Sequence, residues 1–516
     1  EADWSRVTVL QGDANQKYGP QATGGSNSIN QMLVPMRKAG ATGKELLVAA
    51  AAESWGIAVK DCYAKSHSVF NRLDDRSIAY GELVSAASKM TPSDEPVLKT
   101  PDQFRYIGKP LKRHDQGDMV VGKRVYGSDA KVPGVKYAAI KHVPVMGGSV
   151  KSVDKSKALE MPGVIDVVVL KRFEQPYGTL GGVAVVADNT WTAEQALAKL
   201  VIEFEAGEHG SYDTDLYKQE LVKNVEAPAK LAFEKGSVSK AFESSEIRHK
   251  GTYVGGHLSH SPMEPMASLV WVQDDKCEIW AATQDPVGIQ KTVSAFLGRK
   301  PEDITVHVMM AGGAFGRKFK CDYVQEAAAI SQATGVPVQL TWSREEDTRT
   351  GYYHSCSAQH IEASLDAAGN ITGWLHRAAF PPIGSLFNPE TVQPSDGDVS
   401  AVSKHPYGIE NMRVESGMAK AHTRIGWYRA VYAIFYGFAI NVFTDELAHK
   451  AGVDTLQFYR NIYANNKDAE QKEQVRRSRA VLDKAAEMAD WGKTLPPNHG
   501  MGIAVHHSFE SYVAMA

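Results

Sequence analysis

Met310-Ala311-Gly312-Gly313-Ala314-Phe315-Gly316-Arg317-Lys318 decides how the rest of the chain is read. It follows Ile304 to Val308, a β-branched run that reads as a strand, and precedes Asp322 to Thr334, which reads as a helix. Glycines in such a turn let a ligand approach the backbone closely and leave N–H groups free to face it. Two other readings stand beside that one. A tight turn uses glycine for its own geometry, and a phosphate loop also joins a strand to a helix. The phosphate loop fails on spacing: neither GxxxxGK(S/T) nor GxGxxG occurs here, so a nucleotide-dependent dehydrogenase built on Gly312 lacks its fingerprint.

Upstream, Ala281-Ala282-Thr283-Gln284-Asp285-Pro286 ends another strand, and before it lies His257-Leu258-Ser259-His260-Ser261-Pro262-Met263-Glu264-Pro265-Met266. Val270 to Val272 and Cys277 to Trp280 face each other across Asp274-Asp275-Lys276 as a hairpin. Nearer the start, Val7 to Leu10 reads as a strand, Gln21 to Ser28 as a Gly/Ser-rich turn, and Ala41 to Trp55 as an alanine-rich helix closed by Gly56. From Met90 to His114, Pro, Asp and Lys interrupt all periodicity and mark a linker. Val120-Val121, Tyr137 to Ile140, Val164 to Val169, Val183 to Val186 and Val201 to Phe204 read as strands around a helix at Trp191 to Leu200. That makes residues 118–205 a compact α/β unit. Further helices are expected at Val431 to Lys450 and Glu473 to Ala489. The class is α+β, a mixed α/β chain.

At 516 residues, with 43% hydrophobic and 23% charged side chains, the chain reads as globular with several cores. The net charge of -3 is small and both signs are scattered, so no footprint for nucleic acid or anionic lipid stands out. No apolar run reaches the roughly 20 residues that a spanning helix needs. Cys62, Cys277, Cys321 and Cys356 form no CxxC pair, which excludes a zinc ribbon or an iron–sulfur cluster and leaves them as small buried hydrophobes. Electrons from any redox chemistry here must leave through another chain.

The three ordered segments resemble the His-Pro-Met-Glu-Pro, Thr-Gln-x-Pro and Gly-Gly-x-Phe-Gly segments of the xanthine oxidase family of molybdenum hydroxylases. Thr23 to Ser26, Arg37 to Ala41, Ala50 to Gly56, Met161 to Val164, Gly426 to Arg429 and Thr444 to Ala448 extend the resemblance along the chain. They are similar to the isoquinoline 1-oxidoreductase beta-subunit branch, which includes periplasmic aldehyde dehydrogenases of acetic acid bacteria. The resemblance implies that family's large-subunit architecture with an inserted α/β hammerhead domain. Residues 1–108 would be a partial N-terminal molybdopterin-binding segment, 109–205 the hammerhead, and 206–516 the central molybdopterin-binding domain with its C-terminal part missing.

It also implies roles. Gln284 would donate a hydrogen bond to an oxo or sulfido ligand of molybdenum, stabilising charge that shifts onto the metal. Phe315 and Gly316 would lie beside the metal with their N–H groups aimed at its apical ligand, and with Gln284 they form the expected catalytic set. Gly312, Gly313, Ala314 and Arg317 complete the cofactor-binding turn, Arg429 and Ala430 match a segment lying along the pterin, and Gly25 and Ser26 match a loop that wraps the pterin and phosphate. Arg429 as a structural ion pair is the alternative. No side chain is assigned as a metal ligand. The family's basic glutamate lies in a late Gly-x-Gly-Glu segment that does not occur before Ala516, and Glu264 is no substitute, because Met-Glu-Pro reads as structural. The chain is therefore expected to be a piece that lacks both ends.

Purine-hydroxylating members carry charges at positions that correspond here to Phe319 and Tyr353. An aldehyde or an uncharged N-heterocycle fits better, with Tyr353, Phe380 and Phe387 lining its pocket, although aromatic residues more often fill cores. The implied cofactor is molybdopterin in its cytosine dinucleotide form. The implied partners are a small two-cluster iron–sulfur subunit carrying [2Fe-2S] clusters and a membrane-anchored cytochrome c subunit carrying haem c. The implied location is the periplasm, peripherally at the membrane, with the cytoplasm as the alternative. A catalytically silent scaffold that keeps the fold and docks partners is the competing function; bound molybdenum and pterin separate the two.

Overall fold

The computed structural model describes residues 2–174 and 176–516. They form two compact units, one of residues 2–12 and 23–124, the other of residues 13–22, 125–174 and 176–516. One sheet of the second unit joins strands on both sides of residue 205.

The first unit is built on the helix Asn27–Trp55, which starts earlier than Ala41 and runs through Pro35. The added turns bury no side chain; Val48, Ala50, Ala51 and Ala52 are the buried ones, and Gly56 closes the helix in a left-handed conformation, φ 66°. Val48 and Ala51 pack with Val69 of the antiparallel meander Cys62–Lys65, Ser68–Asn71 and Ser77–Ala79, and with Leu83 of the helix Tyr80–Ala87. Two expected strands are absent. Residues 7–10 form none, and Val120 ends the short helix Gln116–Val120. β-Branched residues only favour a strand where a partner edge and a buried face exist, and Val120 and Val121 are both exposed.

The second unit holds a seven-stranded mixed sheet, in the order Ile304–Val308, Cys277–Ala281, Ala267–Val272, Val338–Thr341, Lys136–His142, Gly182–Ala187 and Val164–Leu170. Its core comprises Val270, Ile279, Val306, Leu340 and Val186, with Val324 and Ala328 of the helix Asp322–Thr334. A second sheet of five strands, Ile247–Gly255, Ser357–Leu365, Ile371–Ala379, Met412–Gly417 and Lys230–Lys235, packs with the helices Ala433–Ala451 and Thr455–Asn465 around Phe443, Tyr459 and Trp374. Helices and sheets of both hands of pairing make the class α+β, as expected from the sequence.

One pairing positions the site. Cys277–Ala281 and Ile304–Val308 lie side by side and parallel, with Cys277 opposite Ile304 and Ala281 opposite Val308. The two loops that follow therefore leave the sheet at the same edge. Met309 N–H extends the pairing by donating to Ala281 O at 2.9 Å. The carboxyl ends of adjacent parallel strands are where ligand-binding loops gather in open sheets.

Candidate cofactor and substrate site

Three left-handed residues shape the turn after Val308: Gly313 at φ 99°, Phe315 at φ 54° and Gly316 at φ 97°. Gly316 tolerates no side chain, since an ideal Cβ there would lie 2.0 Å from Trp427 O. The turn is anchored from below. Glu264 accepts from Gly312 N at 2.9 Å, from Ser128 N at 3.0 Å and from the buried Lys318 ammonium. Burial lowers the pKa of Lys318, and Glu264 opposes that effect. This is the structural role expected of the Met-Glu-Pro segment.

Gln284 meets the turn directly. Gly316 N–H donates to Gln284 Oε1 at 2.9 Å, and Gln284 N–H donates to Lys318 O at 3.0 Å. The structure brings Gln284 and the Phe315–Gly316 turn together, with one correction to the expected geometry. Gly316 N–H is spent on the carboxamide oxygen of Gln284 and is not aimed outward at a ligand. The outward donors are its neighbours: among the described residues, the N–H groups of Gly313, Ala314 and Phe315 donate to no protein acceptor. Successive free N–H groups in a turn of alternating hand make a concave anion site. That row of donors fits the anionic oxo and sulfido ligands of a molybdenum–pterin group. Arg429 reaches the same place, with its guanidinium 5.9 Å from the centre of the half-exposed Phe315 ring. Ala430 follows at φ 64°.

Other expected site residues lie elsewhere. Arg317 is buried and pairs bidentately with Asp322 at 2.8 and 2.9 Å, its guanidinium between the rings of Trp342 and Tyr352. Its guanidinium is thus a structural cation turned into the core. Phe380 is fully buried in the five-stranded sheet's core against Tyr432 and Phe435. The Tyr353 hydroxyl is tied to the carbonyls of Thr348 and Arg349 at the end of the helix Arg344–Thr350. Phe380 therefore faces the core and no pocket, whereas Tyr353 stays partly exposed with its hydroxyl engaged. Gly25 and Ser26 belong to the first unit, both left-handed, and the Ser26 side chain does not cap the helix that starts at Asn27.

Phe387 alone of the three expected aromatics joins a cluster near the turn. Its ring lies 6.0 Å from Tyr177 and 6.1 Å from Trp427, and Trp427 lies 5.3 Å from Phe319. Phe387 is 54% exposed, so the cluster opens to solvent. Trp427 and Phe319 were legible as motif neighbours, the first in the segment Gly426 to Arg429 and the second just after the glycine turn, whereas nothing in the pattern around Tyr177 marks it.

A parallel-strand edge with a glycine turn, an amide side chain and free N–H donors defines a protein built to receive an anionic group at that edge. A family model for the molybdopterin cofactor-binding domain matches residues 220–462. The isoquinoline 1-oxidoreductase subunit beta of Brevundimonas diminuta is 27% identical over 99% of this chain and 70% of its own length. The membrane-bound aldehyde dehydrogenase [pyrroloquinoline-quinone] of Gluconacetobacter polyoxogenes is 30% identical over 98% of this chain and 68% of its own. Among solved structures, aldehyde oxidoreductase from Desulfovibrio gigas superposes with a TM-score of 0.57 at 21% identity, covering 76% of this chain and 48% of that one. Quinoline 2-oxidoreductase from Pseudomonas putida 86 gives 0.57 at 19% identity, covering 77% and 57%. The chain thus spans about half the length of the solved structures that it matches. It belongs to the xanthine oxidase family as a molybdopterin-binding large subunit.

Proposed function

We propose that this chain holds the molybdenum–pterin group of an oxidoreductase that converts aldehydes to carboxylic acids with oxygen drawn from water. The observation that carries this reading is the row of free N–H groups at Gly313, Ala314 and Phe315 beside Gln284. When bound, the group supplies the two-electron oxidation and the oxygen transfer; the chain supplies binding and orientation. The Phe315 turn offers dipoles to negative charge that grows during the reaction, already oriented and so without reorganisation cost. Gln284 is locked to the turn through its Oε1, which fixes the plane of its carboxamide. Arg429 lies beside Phe315 where the pterin segment is expected.

The aromatic cluster of Phe387, Tyr177, Trp427 and Phe319 suits a flat, uncharged substrate. It favours aromatic over short aliphatic aldehydes and is the specific support for the second reading, hydroxylation of an N-heteroaromatic ring. Electrons would pass to a small two-cluster iron–sulfur subunit and on to a membrane-anchored cytochrome c subunit, since the four cysteines here are buried and dispersed. We assign the cytosine dinucleotide form of the pterin and a periplasmic location held through the partners. Among the described residues no helix is long and apolar enough to cross a membrane. The segment 109–205 would be the hammerhead between the N-terminal segment 1–108 and the central domain 206–516.

The test is purification of the intact complex, with metal and released pterin measured, and turnover compared on benzaldehyde and isoquinoline in isotopically labelled water. Stoichiometric molybdenum and labelled benzoate are expected. A complex free of molybdenum and pterin, or turnover that requires NAD, overturns the proposal; labelled isoquinolone without benzoate selects the second reading.

A further inference from the structure

A buried side chain beneath the turn has no part in the account so far. Lys320 is fully buried at the foot of the turn, and its Nζ donates to Gly316 O at 2.9 Å. Two rings flank it, Trp427 at 4.8 Å and Tyr352 at 5.5 Å from Nζ to the centroids, and the cations Arg317 and Arg424 also act on it. The buried carboxylate that acts on it, Asp322, is held by Arg317 and Arg424. An ideal Cβ on Gly426 would fall 2.7 Å from Nζ, so the backbone before Trp427 lies against the amine. The amine thus fills a slot between the Gly316 carbonyl, Gly426 and the Trp427 indole. Taking an amine out of water costs several kcal/mol, and a methionine of similar length would fill the slot without that cost.

The cost is understandable if the hydrogen bond is what the slot requires. Lys320 Nζ holds Gly316 O, and Gly316 N–H holds Gln284 Oε1. We infer that Lys320 is the positioning residue that keeps the Phe315–Gly316 turn, and through it the Gln284 carboxamide, in fixed relation to the Trp427 wall. It touches neither substrate nor cofactor. The inference rests on the function proposed above for that site. It extends that function by coupling the chemistry side of the site to its substrate wall through one amine.

Two variants test it. Lys320→Met removes the donor, and Gly426→Ala keeps the donor but pushes a methyl group against it. Leu340→Ala, a core truncation in the strand Val338–Thr341, serves as a destabilised control. On the cofactor-free chain, amide exchange of the peptide spanning residues 312–319 is expected to rise roughly tenfold in both variants and not in the control. In the loaded enzyme, kcat is expected to fall about 10- to 100-fold with KM little changed, as for a displacement near 1 Å, together with an altered molybdenum(V) paramagnetic signal. Native exchange and signal in both variants, or the same changes in Leu340→Ala, overturn the inference. Faster exchange in a native complex that contains no molybdenum overturns the proposed function and with it the role toward a cofactor, while confining Lys320 to bracing the turn.

Discussion

Glu264 and Gly312 are bonded to each other twice: Glu264 N–H donates to Gly312 O at 2.9 Å, and Gly312 N–H donates to Glu264 Oε2 at 2.9 Å. An ideal Cβ on Gly312 would lie 2.6 Å from Glu264 Cβ, so the two backbones meet where only glycine fits. The same carboxylate pairs with Lys318, itself 1% exposed. Glu264→Ala strands that ammonium, and a loss of about 3–5 kcal/mol is expected, read as a lower midpoint in urea. Unchanged stability would show that the pair is not a keystone of the turn.

Gly316 is the second fixed point. Gly316→Ala adds a Cβ 2.0 Å from Trp427 O at a backbone angle that side chains rarely adopt. The turn must then move, at about 3 kcal/mol or more, and the expected outcome is a folded chain that copurifies with little molybdenum. Full metal content in this variant would contradict the site.

His142 makes stability depend on pH. Burial alone would lower its pKa, but Glu326 at 3.2 Å and Glu346 at 2.7 Å outweigh it and raise the value to about 9. A group whose pKa rises on folding stabilises fully below its unfolded value, near 6.5, and loses that contribution as pH climbs through the folded value. Unfolding free energy should therefore fall between about pH 6.5 and 9, by on the order of 3 kcal/mol. Glu346, held down to about 2 against burial by its bonds to His142, contributes in the opposite sense, with its share lost as pH falls from 4.5 toward 2. His142→Gln is expected to flatten the alkaline limb in denaturant titrations; a limb of native steepness would assign it to other groups.

Phe387 is exposed enough to be replaced without penalty to the fold. Phe387→Ala is expected to raise KM for aromatic aldehydes about three- to tenfold, the worth of one aromatic contact, and to leave short aliphatic aldehydes nearly unaffected. Equal changes for both substrates would remove Phe387 from the wall.

All four cysteines are buried and unpaired, and burial pushes Cys277 and Cys321 up to about 12 and Cys356 to about 11. Since the thiolate is the reactive form, the native chain should resist a thiol reagent at pH 8 and react fully once unfolded. Rapid labelling of the folded chain would indicate an opening that exposes a core.

Local periodicity carried well where an element also packs as its sequence prefers. Ile304–Val308 and Asp322–Thr334 have the bounds read from the residues alone, with a glycine closing the helix. It failed where a preference lacked a neighbour, as at Val120, or where a residue's partner is far along the chain. Arg317 looked like part of a ligand loop because it follows Gly316, yet its guanidinium turns inward to Asp322. Phe380 could not be told from a pocket aromatic, because a buried ring and a pocket ring have the same composition and differ only in what covers them.

Residue order by itself determined the kind of chain this is: three small motifs in sequence, each with glycine, proline or an amide where backbone must come close to something. Only the tertiary structure decided which N–H groups face outward, that Gly316 is spent on Gln284, and that an amine from Lys320 lies beneath them. Hydrogen-bond direction depends on where each donor finds its acceptor in space. That choice is made by the parallel pairing of Cys277–Ala281 with Ile304–Val308, which no local pattern encodes.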